Sequence, residues 1–320
     1  MTRYVIRRLL QAIPTLFGVS LISFFIIQIA PGDPVQMMTF DPNITQETRE
    51  ILRHQLGLDQ PLPIQYLRWL ERLVLHGDFG RSYITKRPVL EMILERVPAT
   101  LALTGTALLL GLLIGVPVGV YSAARQRSWF DNLSRFFAVI GNAVPAFWLG
   151  LILILIFAVK LRWLPTGGMY TLSLETRFDL LDRLRHLILP ASVLATGWIA
   201  NLSRYMRTET LEVIRQDYIR TAHAKGLRPR TVWFVHAARN ALIPLVTILG
   251  PSLGGLLAGA VITERVFSWP GMGRMAIDAV FSRDYPVIMG NLIIASTLVV
   301  LGNLLSDILY GVVDPRVRLE

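Results

Sequence analysis

The sequence of 320 residues contains no cysteine, and only three of its 32 basic residues are lysines. Without cysteine there is no disulfide framework, no thiolate nucleophile and no cysteine-ligated metal. No glycine is followed by lysine anywhere, so a G-x-x-x-x-G-K-[ST] phosphate loop is missing, as is an H-E-x-x-H motif. We therefore expect no catalytic residues, no metal site and no cofactor bound by this chain.

Charged residues are also scarce, at 17%, whereas apolar residues make up 53%. The apolar residues form continuous blocks longer than 18 residues, which is the length needed to cross a hydrocarbon core of about 30 Å. Continuous blocks indicate helices, because the strands of a membrane barrel alternate. We predict an all-α integral membrane protein with six transmembrane helices, at Leu9–Ala30, Thr100–Ala124, Leu133–Val159, Leu187–Met206, Ala241–Ile262 and Pro286–Val313.

The distribution of charge predicts the orientation of these spans. The first apolar block is 22 residues long and lacks a small-x-small cleavage site, so we interpret it as an uncleaved helix rather than a signal peptide. With the N-terminus inside, the inner segments hold 16 basic and six acidic residues, against 16 and 15 in the outer segments. The positive-inside rule then places both termini in the cytoplasm. This topology explains the net charge of +10 without nucleic-acid binding.

Three regions follow from the spans: residues 1–30 with the first helix, an extracytoplasmic cap at 31–98, and a core of five helices at 99–320. The cap opens with the turn cluster P-G-D-P at residues 31–34. Helical patterns follow at Gln46–Leu56, ending before Gly57, and at Pro63–Leu75. We therefore expect a small folded cap between the first and second membrane helices.

The inner segment 207–240 is predicted to form two short helices. Leu211, Ile214, Tyr218 and Ala222 recur at helical spacing, which gives one apolar stripe on a polar helix. That helix should end at Gly226, and a proline three residues later suits the first turn of the next helix. An amphipathic helix of this kind either lies on lipid or docks into a partner groove. Acidic residues mixed among the arginines favour a protein partner.

Within the spans, few polar residues indicate a catalytic, metal-binding or transport role. The five histidines show no metal-ligand spacing. Asp307 is the one carboxylate inside an apolar span, where it either pairs with Arg204 or Arg207 or lines a pathway. An intramembrane enzyme is disfavoured because no second carboxylate lies at matching depth. A channel or secondary transporter working alone remains an alternative, although no buried charge relay supports proton coupling.

The inner segment resembles the coupling motif of ABC-importer permeases. Residues 217–226 read D-Y-I-R-T-A-H-A-K-G, followed by H-A-A-R-N-A-L-I-P at 236–244. Arg220 and Thr221 depart from the general Glu and Ala, and the general I-x-L-P tail is absent. These departures are similar to the dipeptide, oligopeptide and nickel branch, B-type subunit. Similar segments occur in order along nearly the whole chain, at residues 30–34, 56–62, 77–82, 144–150, 164–168 and 264–273.

The resemblance implies a type I importer fold and a multi-pass permease of the cell inner membrane. It implies as partners a second, C-type permease, two cytoplasmic ATPase subunits that carry ATP and Mg²⁺, and an extracytoplasmic solute-binding protein. Di- or oligopeptides are the favoured substrates; nickel chelates, glutathione and oligosaccharides are alternatives. The coupling residues implied are Asp217, Tyr218, Arg220, Thr221, Ala222, Ala224, Lys225, Gly226, Leu227 and His236, with Tyr218 and Ala222 facing the ATPase. The candidate pathway or gate residues are Asn142, Pro145, Glu264, Pro270, Gly271 and Asp307; the resemblance places the 264–273 hairpin near the outer gate.

Overall fold

The fold is helical throughout the part of the chain that the computed structural model describes, which comprises residues 2–29, 35, 45–171, 179–242, 245, 255–256 and 260–313. An isolated antiparallel bridge between Arg81 and Pro88 is the only β pairing among these residues. Within these residues, four helices are long and apolar enough to cross a membrane, and a bent pair of helices provides a fifth candidate. The prediction of an all-α protein with several apolar spans is confirmed.

The first and last spans pack against each other. Helix α1 (Thr2–Ile29) corresponds to the first predicted span, and the final helix, Tyr285–Val313, corresponds to the last. Many apolar side chains of α1, such as Ile13 and Ile26, are exposed in the isolated chain. Exposed apolar surface of this extent is typical of a helix that contacts lipid or another subunit.

The predicted helices of the cap are also present. Helix α2 (Gln46–Gln55) begins after Thr45, whose side chain accepts a hydrogen bond from the backbone N–H of Thr48. Helix α3 (Leu62–His76) ends at Gly77 in the left-handed conformation. On α3, Tyr66 is buried against Phe24 of the first span, so this cap helix packs on the membrane helices.

The second and fourth spans are longer than predicted. The second comprises α4 (Val89–Leu110), a π-helical turn (Gly111–Gly115) and α5 (Val116–Ala124). Residues 89–98 of the predicted cap thus belong to a membrane helix. The fourth is the single helix α8 (Leu180–Ile214), numbered in chain order. Hydropathy marks only the apolar part of a helix, and helix-forming polar residues extend it at both ends.

The prediction of one continuous third span, Leu133–Val159, is wrong. The chain forms α6 (Trp129–Ala143) and α7 (Ala146–Leu153), and α7 continues as a π-helix to Lys160. The two halves are bent by 102°. Pro145 lacks an N–H group and disfavours a helical conformation at Val144, which has ψ 123°, so the helix breaks there.

Most of the predicted fifth span, Ala241–Ile262, lies outside the described residues, as does the P-G-D-P cluster at 31–34. Beyond the span, α12 (Val261–Val266) and α13 (Met272–Ser282) form a hairpin that contacts α4 and α7. The last helix, Tyr285–Val313, is α14 in chain order.

Helices α5 and α8 pack closely against each other in the core. A Cβ atom at Gly119 would overlap the carbonyl oxygen of Ser203 and the side chain of Met206. Gly115, one turn earlier, and Gly111, two turns earlier, make similar approaches to α8. Small residues at a helix interface allow the two backbones to come into contact, so α5 and α8 are packed as a unit.

Candidate coupling and pathway sites

The inner segment contains a break that the sequence pattern did not show. Helix α8 ends at Ile214, Arg215 and Gln216 intervene, and α9 spans Asp217–Ala224. The predicted apolar stripe from Leu211 to Ala222 is therefore divided between two helices. Periodicity could not reveal this, because a two-residue turn displaces the helical spacing very little.

The turn after α9 agrees with the sequence prediction. Gly226 has φ +73°, in the left-handed region that glycine adopts without strain. Its N–H donates to the carbonyl of His223 over 2.9 Å, which closes the end of the helix. No atom lies within 4 Å of the position of a Cβ atom there, so the backbone conformation, not crowding, favours glycine.

The chain continues into a second helical stretch, as predicted. Pro229 is the first residue of α10 (Pro229–Thr231), which leads through a π-helical segment (Val232–Ala237) into α11 (Ala238–Ala241). His236 lies half-buried in the π-helical segment, and its carbonyl accepts a hydrogen bond from the Asn240 side chain over 3.0 Å.

The inward face of α9 packs on this second stretch. Ile219 and Ala222 are buried against Val232 and Ala237. The predicted outward orientation of Ala222 is therefore wrong: the apolar stripe of α9 is covered by its own chain. Tyr218, which the sequence pattern placed on the same stripe, takes no part in this buried contact and is 44% exposed, in agreement with its predicted orientation towards a partner.

The outward face of α9 is polar. Asp217 and Arg220 form an ion pair of 3.4 Å at the surface, with side chains 95% and 80% exposed. Exposed pairs of this kind contribute little to stability, so both groups are free to meet a partner. The remaining exposed coupling residues are Thr221, Ala224, Lys225 and Leu227.

The candidate gate hairpin, residues 264–273, centres on one buried carboxylate. Glu264 is fully buried and accepts hydrogen bonds from the Thr100 hydroxyl over 3.0 Å and from the Arg274 backbone N–H over 2.9 Å. The same hydroxyl oxygen of Thr100 accepts a bond from the Met272 N–H over 2.8 Å. The structure thus brings Glu264 together with Gly271, whose missing side chain makes room for the carboxylate.

Two further contacts anchor this hairpin. The indole N–H of Trp269, just before the half-buried Pro270, donates to the carbonyl of Ala99 over 2.8 Å. From the other side, the N–H of Gly168 donates to the carbonyl of Phe267 over 2.8 Å. The hairpin is therefore held between α4 and the loop that follows α7.

The remaining pathway candidates lie near the bend. The Asn142 amide donates to the Asn201 side chain over 3.0 Å, and Arg204 donates to the same oxygen. Past the bend at Pro145, Gly150 of α7 contacts Phe267 of the hairpin. The side chain of Asp307 lies outside the described residues.

Sequence reasoning missed the most strongly bonded carboxylate of the core. Arg207 binds Asp131 through two bonds, of 2.6 Å from Nε and 2.9 Å from Nη2. The structure thus gives Arg207 a partner other than Asp307. Asp131 is 76 positions earlier, in the first turn of a helix that Ser128 caps, so nothing in its local pattern signals this pairing. Among the described residues no group of three His, Asp or Glu side chains could hold a metal ion.

Comparisons with known proteins agree with this architecture. Residues 115–319 match the family described as binding-protein-dependent transport system inner membrane component, and residues 1–104 match its N-terminal region. Solved structures of inward-facing MetNI methionine ABC transporter superpose with TM-scores of 0.57 and 0.55, at 20% and 19% identity, over 70% of this chain and 97% of the matched chain. The chain belongs to the family of binding-protein-dependent transport system inner membrane components and has the type I importer permease fold.

Relatives of higher sequence identity indicate the branch of this family to which the chain is similar. The chain is 49% identical to the oligopeptide transport system permease protein AppB of Bacillus subtilis, over 99% of this chain and 100% of that protein. It is 44% identical to the di/tripeptide permease DppB of Pseudomonas aeruginosa and 41% identical to the dipeptide permease DppB of Escherichia coli, each over 99% of both chains. The predicted resemblance to the dipeptide and oligopeptide permease branch is confirmed. The chain is a multi-pass permease component of the inner membrane.

Proposed function

We propose that this chain is one of two homologous permease subunits of an ATP-driven importer of di- and oligopeptides. Two cytoplasmic ATPase subunits would hydrolyse ATP with Mg²⁺, and an extracytoplasmic binding protein would deliver the peptide. Six spans with both termini in the cytoplasm would place α9 beside the ATPases and the cap beside the binding protein. The peptide names of full-length relatives at 41–49% identity support this substrate class over nickel chelates, glutathione or oligosaccharides.

The surface of α9 is the observation that carries the ATPase assignment. Tyr218 projects from α9 and is 44% exposed, and Leu227, just after the turn that ends α9, is 38% exposed. Aromatic anchors inside a polar rim are typical of protein interfaces. The apolar stripe of α9 is meanwhile buried on its own chain. A helix that lay on lipid would instead present that stripe outward.

Co-purification tests the assignment. The tagged chain, extracted in a mild detergent, should carry a second permease and the ATPase subunits, identified by mass spectrometry. Tyr218→Ala should weaken recovery of the ATPases by about tenfold, as expected for an aromatic anchor, and leave the second permease bound. Trp129→Ala removes an exposed aromatic outside the 207–240 segment and serves as the control.

Two results would contradict the proposal. Recovery of the chain alone would favour a transporter that works by itself. Equal ATPase recovery with Tyr218→Ala and Trp129→Ala would remove the docking role of α9. Substrate class is tested separately by uptake of labelled dipeptide into proteoliposomes of the complete complex, in competition with unlabelled peptide, a nickel chelate and glutathione.

A further inference from the structure

The carboxylate of Asp131 is held by four donors at the meeting point of three helices. Besides the two bonds from Arg207, Asp131 accepts a hydrogen bond from the Ser122 hydroxyl over 2.5 Å and from the Arg127 backbone N–H over 2.8 Å. Its side chain is 0% exposed, and that of Arg207 is 20% exposed. Every oxygen of this buried carboxylate is satisfied, so the cluster has one well-defined arrangement.

The donors come from different parts of the chain. Ser122 belongs to the end of α5, Arg127 to the following turn, and Arg207 to α8, while Asp131 itself lies in the first turn of α6. Pulling any one of these elements away would leave a buried charge without its partner, which is strongly unfavourable. Together with the close approach of α5 and α8 at Gly119, the cluster joins the three helix ends into one body.

The cluster is connected to both candidate sites, to one through α8 and to the other through α6 and α7. Arg207 precedes Ile214, the end of α8, by seven residues, which is about two helical turns or 10 Å. Only Arg215 and Gln216 then separate α8 from α9. In the other direction, α6 leads to the bend at Pro145 and then to α7, where Gly150 contacts Phe267 of the hairpin.

We propose that Asp131 and Arg207 are positioning residues that transmit movement of the coupling segment to α6 and, beyond the bend, to the 264–273 hairpin. This inference rests on the proposed function, in which α9 docks on the ATPase. Without the ion pair, α9 and α8 would still follow the ATPase, but α6 would no longer move in step with them. ATP hydrolysis would continue while transport failed.

The test uses the complete complex in proteoliposomes, with ATP hydrolysis and peptide uptake measured on the same sample. Asp131→Asn and Arg207→Gln should lower the peptide transported per ATP by about tenfold, because each leaves a buried charge unpaired, with hydrolysis kept within about twofold of wild type. Arg207→Lys keeps the charge but not the two-point contact, and should lower the ratio by about threefold. Arg135→Gln removes an exposed charge from the same helix, α6, and should leave the ratio unchanged.

The outcomes separate the alternatives. A proportional loss of hydrolysis and transport would show that the pair only maintains the fold, and would overturn the inference. If the Asp131→Asn complex does not assemble, the Arg207→Lys variant provides the test. An unchanged amount of peptide transported per ATP in that variant would also overturn the inference. Wild-type complexes that hydrolyse ATP without taking up peptide would contradict the proposed function itself, and with it the role assigned to the pair.

Discussion

The carboxylate of Glu264 occupies the space that a Cβ atom on Gly271 would need. This relationship closes the hairpin between α12 and α13, because the same carboxylate binds Thr100 of α4 and the first turn of α13. Burial of an ionisable group is tolerated only where its hydrogen bonds are made. The Glu264 carboxylate can therefore occupy this position only because residue 271 is a glycine.

Gly271→Ala is predicted to destabilise the protein. The added methyl would force the Glu264 carboxylate away from its partners, at a cost of about 1–3 kcal/mol. Thermal unfolding of the purified protein in detergent measures the change. Gly197→Ala, within α8, provides the control, because no atom lies within 4 Å of the new Cβ position. Equal melting temperatures for the two variants would contradict the packing described for Gly271.

Ser82→Ala is predicted to loosen the cap. The Ser82 hydroxyl donates to Asp284 over 2.5 Å, and the Tyr83 N–H donates to the same carboxylate. Burial, followed by the Asp284 charge, raises the pKa of Tyr83 to about 12, so this neighbouring phenol stays neutral at physiological pH. Loss of the hydroxyl should cost about 1–3 kcal/mol and speed proteolysis within residues 45–88.

Ser282→Ala is the matched control for the cap, because that hydroxyl bonds only to carbonyls of its own helix in the described structure. A proteolysis rate for Ser82→Ala no faster than for Ser282→Ala would show that Asp284 does not hold the cap.

Gly226→Asp is predicted to uncouple ATP hydrolysis from transport. Asn and Asp adopt the left-handed conformation at modest cost, so Gly226→Asn keeps the turn and isolates the effect of charge. Asn should leave transport within about threefold of wild type, whereas Asp adds a negative charge at the proposed interface and should nearly abolish it. Transport at the wild-type rate with Asp would place the ATPase contact elsewhere.

Reporter fusions test the orientation. The positive-inside rule predicts that a fusion at residue 60 reports an extracytoplasmic position and a fusion at residue 225 reports a cytoplasmic one. The opposite pattern would overturn the topology, and fusions reporting the same side would overturn the number of spans.

Local patterns predicted the helices well, because periodicity and capping depend on residues close in the sequence. The helix following Thr45, the left-handed turn at Gly226 and the start at Pro229 all follow from such signals. The proline at 145 was visible as well, but only the structure shows that it bends the span by 102°. Proline removes one hydrogen bond, and tertiary packing then decides the angle.

Contacts between distant residues could not be predicted in this way. Asp131 and Arg207 carry no shared local pattern, and the same holds for Thr100 and Glu264, which lie 164 positions apart. The orientation of Ala222 was misjudged because one amphipathic stripe can face a partner or its own chain. Only the buried contact with Val232 and Ala237 distinguishes the two.

The two-residue connection between α8 and α9 is too short to let the two helices move far apart. Even with Arg215 and Gln216 fully extended, the last residue of α8 and the first of α9 can be only about 10 Å apart. A partner that displaced α9 further than this would have to carry α8 with it or unwind its last turn. The length of this connection therefore sets an upper limit on how far the docking helix can travel before the membrane helix must follow.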